Sequence, residues 1–359
     1  MASRAGAVVL VAVFGWAVTS GVPAAAAPRP FGDVEVLAKV PTPPGFPEGI
    51  AVQGNRVYVA GPATFGTTGK PPSRVVAFST LTGAQLASYG TKGENVLAEH
   101  ANSSIAFDGN GRLYVLNTQL GMYRLTPSGK QEPYGDPFPD LAPCALAPAP
   151  CSPATLPTPP LPNDLAFDAA GNAYVTDSMQ ATIWRVPAGG GAPEIWFQDG
   201  RLASEYIGVN GIRLDPTRTR VFITVTSDLL GQSFVYTLPL VDKPAAADLA
   251  VFHQYGPGNL PDGIAFGASG LLYVAMATPT ASGVSILAPG GAEKLRLANP
   301  PGSPLLPYDT PANIDFNGTG SILLSNHAFV TGVVNPKAFT VLDVFVDDHA
   351  SPLEKPLLP

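Results

Sequence analysis

One phrase recurs six times along this chain, and no other feature limits its fold as tightly. Each copy is a short polar turn, an apolar strand, a Gly- or Asn-containing turn, and a second strand ending in Tyr-Val or a similar pair. The copies are PEGIAVQGNRVYVAG from Pro47, NSSIAFDGNGRLYVLN from Asn102, PNDLAFDAAGNAYVTD from Pro162, VNGIRLDPTRTRVFITV from Val209, PDGIAFGASGLLYVAM from Pro261 and ANIDFNGTGSILLSN from Ala312. The aligned positions Ile50, Ile105, Leu165, Ile212, Ile264 and Ile314 stand 55, 60, 47, 52 and 50 residues apart. A period of about 50 residues with several strands per unit is the mark of a β-propeller.

Each unit has room for two more strands. In the third they are Ala181–Pro187 and Ala192–Asp199; in the fifth, Gly283–Pro289 and Ala292–Ala298. Both pairs alternate apolar residues between Gly and Pro turns. The sixth unit stops after a third strand, Ala338–Val346, while the chain begins with an unmatched strand, Asp33–Val40. That strand is expected to complete the sixth blade and close the ring, which removes the open sheet edges of a linear array. The expected fold is therefore all-β, a single six-bladed propeller over residues 28–359. A β-sandwich would not generate six copies of one phrase. The 38 Gly and 40 Pro residues disfavour a helical alternative. The 45% hydrophobic and 13% charged content excludes wholesale disorder.

Residues 1–27 read as a secretion signal. Arg4 is the positive start, Ala7 to Val18 the apolar stretch, and Ala24 to Ala27 a small-residue cleavage site. The apolar run is shorter than the ~20 residues a membrane span needs. The expected location is secreted or extracytoplasmic, with no membrane partner after cleavage. Cys144 and Cys151, the only cysteines, fall in the exported part and are expected to form a disulfide. The net charge is −7 with no run of Lys or Arg, so no nucleic-acid partner is expected. The expected partner is a small-molecule substrate, and the expected state a monomer.

In a propeller the first strand of every blade lines the central channel, so equivalent positions form rings. Two residues before each aligned apolar position stand Glu48, Ser103, Asn163, Asn210, Asp262 and Ala312. Asn-Gly and Asp-Gly at two of these can be turn formers alone. Glu in Pro47-Glu48-Gly49 is a poor turn former, and two buried carboxylates facing one another are costly unless neutralised. A hard divalent cation removes that cost. All-oxygen ligation suits Ca²⁺, with Mg²⁺ or Mn²⁺ as alternatives.

With these motifs the chain resembles the six-bladed calcium-dependent hydrolases, the family of regucalcin and gluconolactonase, related to serum paraoxonase and diisopropyl fluorophosphatase. The likeness runs through the whole mature repeat. It is sharpest where PEG places Glu48, PND places Asn163, VNG places Asn210 and PDG places Asp262. The resemblance implies that these four hold a catalytic metal that polarises a carbonyl or phosphoryl oxygen of a lactone, ester or organophosphate. It also implies Asp262 as a nucleophile or base. The intact ligand set argues against the amine–aldehyde condensation of the family's plant relatives. Two departures stand out. Paraoxonases carry His-Gly where this chain has Ser103-Ser104. The fluorophosphatase's second, structural calcium uses an acidic residue where this chain has Ala265, although Asp315 is kept in blade six.

Strand order sends the loops between second and third strands, and those joining blades, to the face of the ring. His327, in LSNHAF, ends a second strand there and matches a His of the fluorophosphatase. It is the candidate general base or substrate-orienting residue, with a hydrogen-bonded structural role as the alternative. Ser103, Asn163, Asn313 and His100 are the candidate substrate contacts; His253 and His349 are assigned to structure or surface. The Pro-rich segment 136–162 carries both cysteines and is expected to form a stiff lid whose Leu141, Leu146, Leu156 and Leu161 offer an apolar wall. The bland alternative is a surface insertion. The loop Gly61–Pro72, with Phe65, overhangs the same opening. No Ser-nucleophile motif, phosphate-binding loop or His-rich zinc signature is present.

The expected function is that of a secreted, divalent-metal-dependent hydrolase of lactones or related esters. The alternatives are a non-catalytic, metal-stabilised binding protein and a metal-assisted lyase or isomerase on the same ring.

Overall fold

The computed structural model describes residues 1–2, 6, 29–155 and 159–359. The expected signal, residues 1–27, therefore falls almost wholly outside the described residues, as does Leu156.

Six four-stranded antiparallel sheets surround one axis. The innermost strands are Ile50–Gln53, Asn102–Phe107, Pro162–Phe167, Val209–Leu214, Pro261–Phe266 and Pro311–Phe316, one from each copy of the phrase. Ring closure follows the sequence expectation. The N-terminal strand Val34–Lys39 pairs antiparallel with Thr340–Phe345 as the outermost strand of blade six. The first and last parts of the chain thus share one sheet. Only three single-turn 3₁₀ segments, at Gly200–Leu202, Ala246–Asp248 and Pro336–Ala338, interrupt the strands and loops among the described residues.

The six aligned residues are all buried, at most 3% exposed. They point sideways into the seams between blades. Apolar clusters fill those seams, as between blades two and three (Tyr114, Leu116, Leu165, Trp184) and blades six and one (Ile50, Val59, Leu323, Val341). The stabilising burial is therefore spread around the ring, and the axis is free for polar groups.

The tail after the last strand crosses the lower mouth of the channel. Ser351 N–H donates to Phe266 O at 2.9 Å, Glu354 pairs with Arg218, and Gly109 N–H donates to Pro356 O at 2.9 Å. Residues 351–355 line the lower channel.

Candidate metal centre

The phrase that builds the first strands also bends them. In blades two to six the pairing register slips just before the aligned apolar residue, for example between Pro162 and Leu165 and between Pro261 and Ile264. A bulge at that point re-aims side chains that a regular pleat would alternate. Ser103, Asn163, Asn210, Asp262 and Ala312 all lie in these bulges. Glu48 sits at the equivalent place in blade one, where Glu48 N–H donates to Ala60 O at 3.0 Å.

The neighbouring first strands approach closely, which explains three glycines. A Cβ on Gly49 would stand 2.6 Å from Ser104 Cα, one on Gly211 2.5 Å from Asp262 O, and one on Gly263 2.7 Å from Asn313 Cα. Hydroxyls from the second strands clip the ring together. Thr224 Oγ1 donates to Asp262 O at 2.7 Å, Ser325 Oγ to Glu48 O at 2.5 Å, and Thr176 Oγ1 to Asn210 O. Each clip reaches from one blade to a ring residue of the next.

Oxygen atoms are left over at the centre of this ring. Thr226 Oγ1 gives its proton to Pro261 O at 2.8 Å, so it can only accept from Asn210 Nδ2 at 2.9 Å. That fixes the Asn210 amide and turns Oδ1 inward. Asn210 Oδ1 and Asp262 Oδ1 are buried without a hydrogen-bond partner among the described residues. Burial pushes the Glu48 carboxyl well above its ordinary range, and the charges of Asp262 and Asp164 add to the rise. Burial and then Asp164 push Asp262 up in the same way, against a pull back from Asn210 and the Gly263 N–H. Among the described residues no three His, Cys, Asp or Glu side chains cluster in a metal-binding arrangement. The ring has only two carboxylates, Glu48 and Asp262, and the equivalent positions of blades three and four carry the amides Asn163 and Asn210. Orphaned oxygens facing mutually repelling carboxylates fit a hard divalent cation.

His327 lies beside this ring. Its Nε2 is 3.8 Å from Glu48 Oε2 and 2.8 Å from Ala63 O. A carbonyl can only accept, so Nε2 carries the proton and Nδ1 is the basic nitrogen. Burial lowers its pKa to about 4, offset in part by Ala63, so the ring is neutral near pH 7. Phe329 stacks on the imidazole, 6.0 Å away with planes 8° apart, and Phe46 packs at 5.6 Å.

The other candidates fare differently. Asn313 is buried against Gly263 and accepts from Ile314 N–H at 2.8 Å through Oδ1. Ser103 spends its hydroxyl proton on Pro162 O at 2.6 Å. His100 is not a substrate contact: it is 1% exposed, with Nδ1 3.0 Å from Ala98 O and Nε2 3.1 Å from Pro71 O. The ring is enclosed between these two loop carbonyls.

The Cys144–Cys151 disulfide is formed, with Cα atoms 4.8 Å apart. The apolar wall expected on the same segment is not. Leu141 turns inward beside Phe138 and Trp184, drawn there because Gln180 Oε1 accepts from its N–H at 2.6 Å. Among the described residues of that wall, Leu146 projects, 82% exposed, and Leu161 is half-buried. An exposed apolar side chain is instead found at Phe329, stacked on His327, with Phe65, Val333 and Val334 exposed in the flanking loops.

Sequence reasoning missed a second polar layer below the ring. Asp164 follows Asn163 and is buried. It accepts from Ser104 Oγ at 2.6 Å and Ile212 N–H at 3.0 Å, and pairs with Arg213 at 3.2 Å. One residue after each aligned position the repeats carry Ala51, Ala106, Ala166, Arg213, Ala265 and Asp315. Two charges in an otherwise alanine layer were the available signal.

No protein-family model matches the chain, and no curated protein matches it in sequence. Solved structures do. A calcium-binding regucalcin from Agrobacterium tumefaciens superposes with a TM-score of 0.63 at 14% identity, over 91% of this chain and 98% of that one. A gluconolactonase from Xanthomonas campestris gives 0.56 at 14%, over 88% and 89%. A virginiamycin B lyase from Staphylococcus aureus gives 0.53 at 13%, over 87% and 99%. At this identity the likeness establishes architecture alone: the chain has the six-bladed propeller fold of the regucalcin and gluconolactonase structures.

Proposed function

We propose that this protein is a divalent-metal-dependent hydrolase of lactones or related esters, exported and acting on a small molecule. The observation that carries the reading is the pair of buried, unpartnered oxygens, Asn210 Oδ1 and Asp262 Oδ1, set in one ring with Glu48. The regucalcin and gluconolactonase structures support it through the shared fold alone. Glu48, Asn163, Asn210 and Asp262 would hold the cation, Ca²⁺ by the chemistry of the donors. Such an ion supplies Lewis-acid polarisation of a substrate carbonyl.

The chain's own residues supply the rest. Neutral His327 offers Nδ1 as a proton acceptor, and its Nε2–H is held by Ala63. Asp262 is a second candidate for handling a proton at the carboxylate oxygen. Asn313, through the amide nitrogen left free by its bond to Ile314 N–H, can orient a bound oxygen. Phe329, stacked on His327, offers exposed aromatic surface beside it. The formed disulfide supports an oxidising compartment.

The test is a screen of lactones, aryl esters and phosphotriesters on protein of known metal content, with and without chelator. Turnover that chelation removes and Ca²⁺ restores is expected. Bound metal with no hydrolysis would overturn the hydrolase reading in favour of a binding protein. A product formed by elimination would instead place the ring among lyases, the class named for the structurally similar virginiamycin B lyase.

A further inference from the structure

Below the ring the channel contains a cation of the protein's own. Arg213 rises from the first strand of blade four, its side chain 11% exposed. Its Nη1 faces four oxygens: Asp164 Oδ2 at 3.2 Å, Asp164 Oδ1 at 3.4 Å, Leu165 O at 3.3 Å and Ile212 O at 3.0 Å. Two carboxylate and two carbonyl oxygens around one nitrogen resemble the oxygen shell of a bound ion. The alanines at Ala51, Ala106, Ala166 and Ala265 leave the layer narrow in side chains and so give the guanidinium space.

Asp164 is wedged between blades. Ser104 of blade two and the Ile212 N–H of blade four donate to it, and it directly follows the candidate ligand Asn163. A buried carboxylate in this place adds a third negative charge to those of Glu48 and Asp262. An unpaired charge there would be costly and would repel both. With Arg213 in place, and with Asp315 of the same layer offset by Lys355, the sum over these six side chains is two negative charges. That equals the charge of one divalent ion.

We propose that Arg213 is a fixed internal counter-ion, a positioning residue that balances Asp164 so that the ring above accepts a single divalent cation and needs no second metal below it. This rests on the reading of the ring as a metal centre. It predicts that metal affinity follows the local charge sum, not the number of intact contacts.

The experiment uses the full chain stripped with chelator and titrated calorimetrically with Ca²⁺. Asp164→Asn keeps the shape and leaves Arg213 unbalanced under the ring, so affinity should fall about tenfold or more, as expected for a like charge at short range. Arg213→Met should bind at least as tightly as the parent. Asp164→Asn with Arg213→Met restores the charge sum, so its affinity should return to within about threefold of the parent, the non-additivity expected of a coupled pair. Arg213→Lys keeps the charge and alters the contacts; its affinity should hold, and it serves as the folded variant should Arg213→Met fail to fold. A double variant as weak as Asp164→Asn, or an Arg213→Lys variant that loses affinity, would overturn the proposal and leave the metal centre standing. A parent protein that binds no Ca²⁺, Mg²⁺ or Mn²⁺ would overturn both.

Discussion

The upper and lower ends of the central channel are lined by the same six strands, yet their carboxylates have opposite surroundings. At the top, Asp262 Oδ1 and Asn210 Oδ1 lack partners among the described residues, and Glu48 is held against other negative charges. A few residues along, Asp164 has Ser104, Ile212 N–H and Arg213, and Asp315 accepts from Val52 N–H at 2.6 Å and Phe316 N–H at 2.8 Å. Burial raises the pKa of Asp315 too, but its backbone donors and the charges of Arg213 and Lys355 oppose the rise. Folding tolerates buried polar groups where they are satisfied. The unsatisfied layer is therefore where we propose the cation. The bulges are what separate the two ends, because they turn the ring side chains to the axis within one strand.

The sharpest way to break this contrast is to remove an upper ligand. Asp262→Ala should lower hydrolytic turnover on the order of 10²–10³-fold, the usual cost of losing one group that stabilises developing charge. Metal content should fall with it while the far-ultraviolet dichroism of the propeller persists. A variant with parental turnover and metal content would show that the ring is not the site. The lower end should respond in the other way. Asp315→Ala strands two buried N–H groups and should cost about 2–4 kcal/mol in denaturant unfolding measured in chelator. Asp262→Asn, measured in chelator, should instead raise stability by about 1–2 kcal/mol, as removal of functional frustration does. If both substitutions destabilise equally, the two ends do not differ as described.

How much of this contrast could be read in the sequence follows from the range of the interactions. The repeat phrase is local, so the blades, the closing strand and the positions of Glu48, Asn163, Asn210 and Asp262 were all visible in it. His327 was legible because strand order fixes which loops share the ring's face. The Asp164–Arg213 pair was not. It joins blades three and four, and its partners are 49 residues apart. The clips from Thr224, Ser325 and Thr176 escaped for the same reason, since a hydroxyl in a second strand gives no local sign of the carbonyl it will meet. His100 misled because exposure was inferred from its loop, whereas two carbonyls enclose it. Leu141 misled because a Pro-rich loop reads as a lid, and only the fold shows Gln180 reaching Pro139 O at 2.9 Å and Leu141 N–H at 2.6 Å to pin it down.

The pinned loop gives a smaller test. Its disulfide spans a sequence separation of seven. A loop that short contributes about 2–3 kcal/mol in the chain-entropy estimate. Ser152 Oγ also donates to Gln180 O at 2.8 Å, so the segment keeps other anchors. Reduction should raise hydrogen exchange across residues 138–154 and shift the melting temperature by a few degrees at most, consistent with a chain of this size. Collapse of the whole propeller on reduction would mean that the loop, rather than the closing strand, holds the ring.

The smallest expected effect concerns the loop opposite His327 and compares a satisfied carboxylate at the rim with the unsatisfied ones at the centre. Glu99 accepts from Gly66 N–H at 2.8 Å, Thr67 N–H and Oγ1 at 3.0 Å, and Thr68 Oγ1 at 2.6 Å. These bonds, the Thr68 hydroxyl first, lower its pKa to about 2. A depressed carboxylate stabilises the fold above its unfolded pKa of about 4.3. That contribution fades as pH falls through the unfolded value and is gone below about 2. Because Glu99 is exposed, solvent screening keeps the effect local. Glu99→Gln at neutral pH should therefore loosen residues 66–68 without a measurable change in global unfolding. Ala63, three residues before Gly66, fixes the His327 tautomer. Loosening that loop should thus lower turnover by a small factor, about two- to fivefold if the misplacement costs under 1 kcal/mol, while leaving Ca²⁺ affinity alone. Equal losses of turnover and affinity would tie the rim to the metal centre directly and erase the distinction between them.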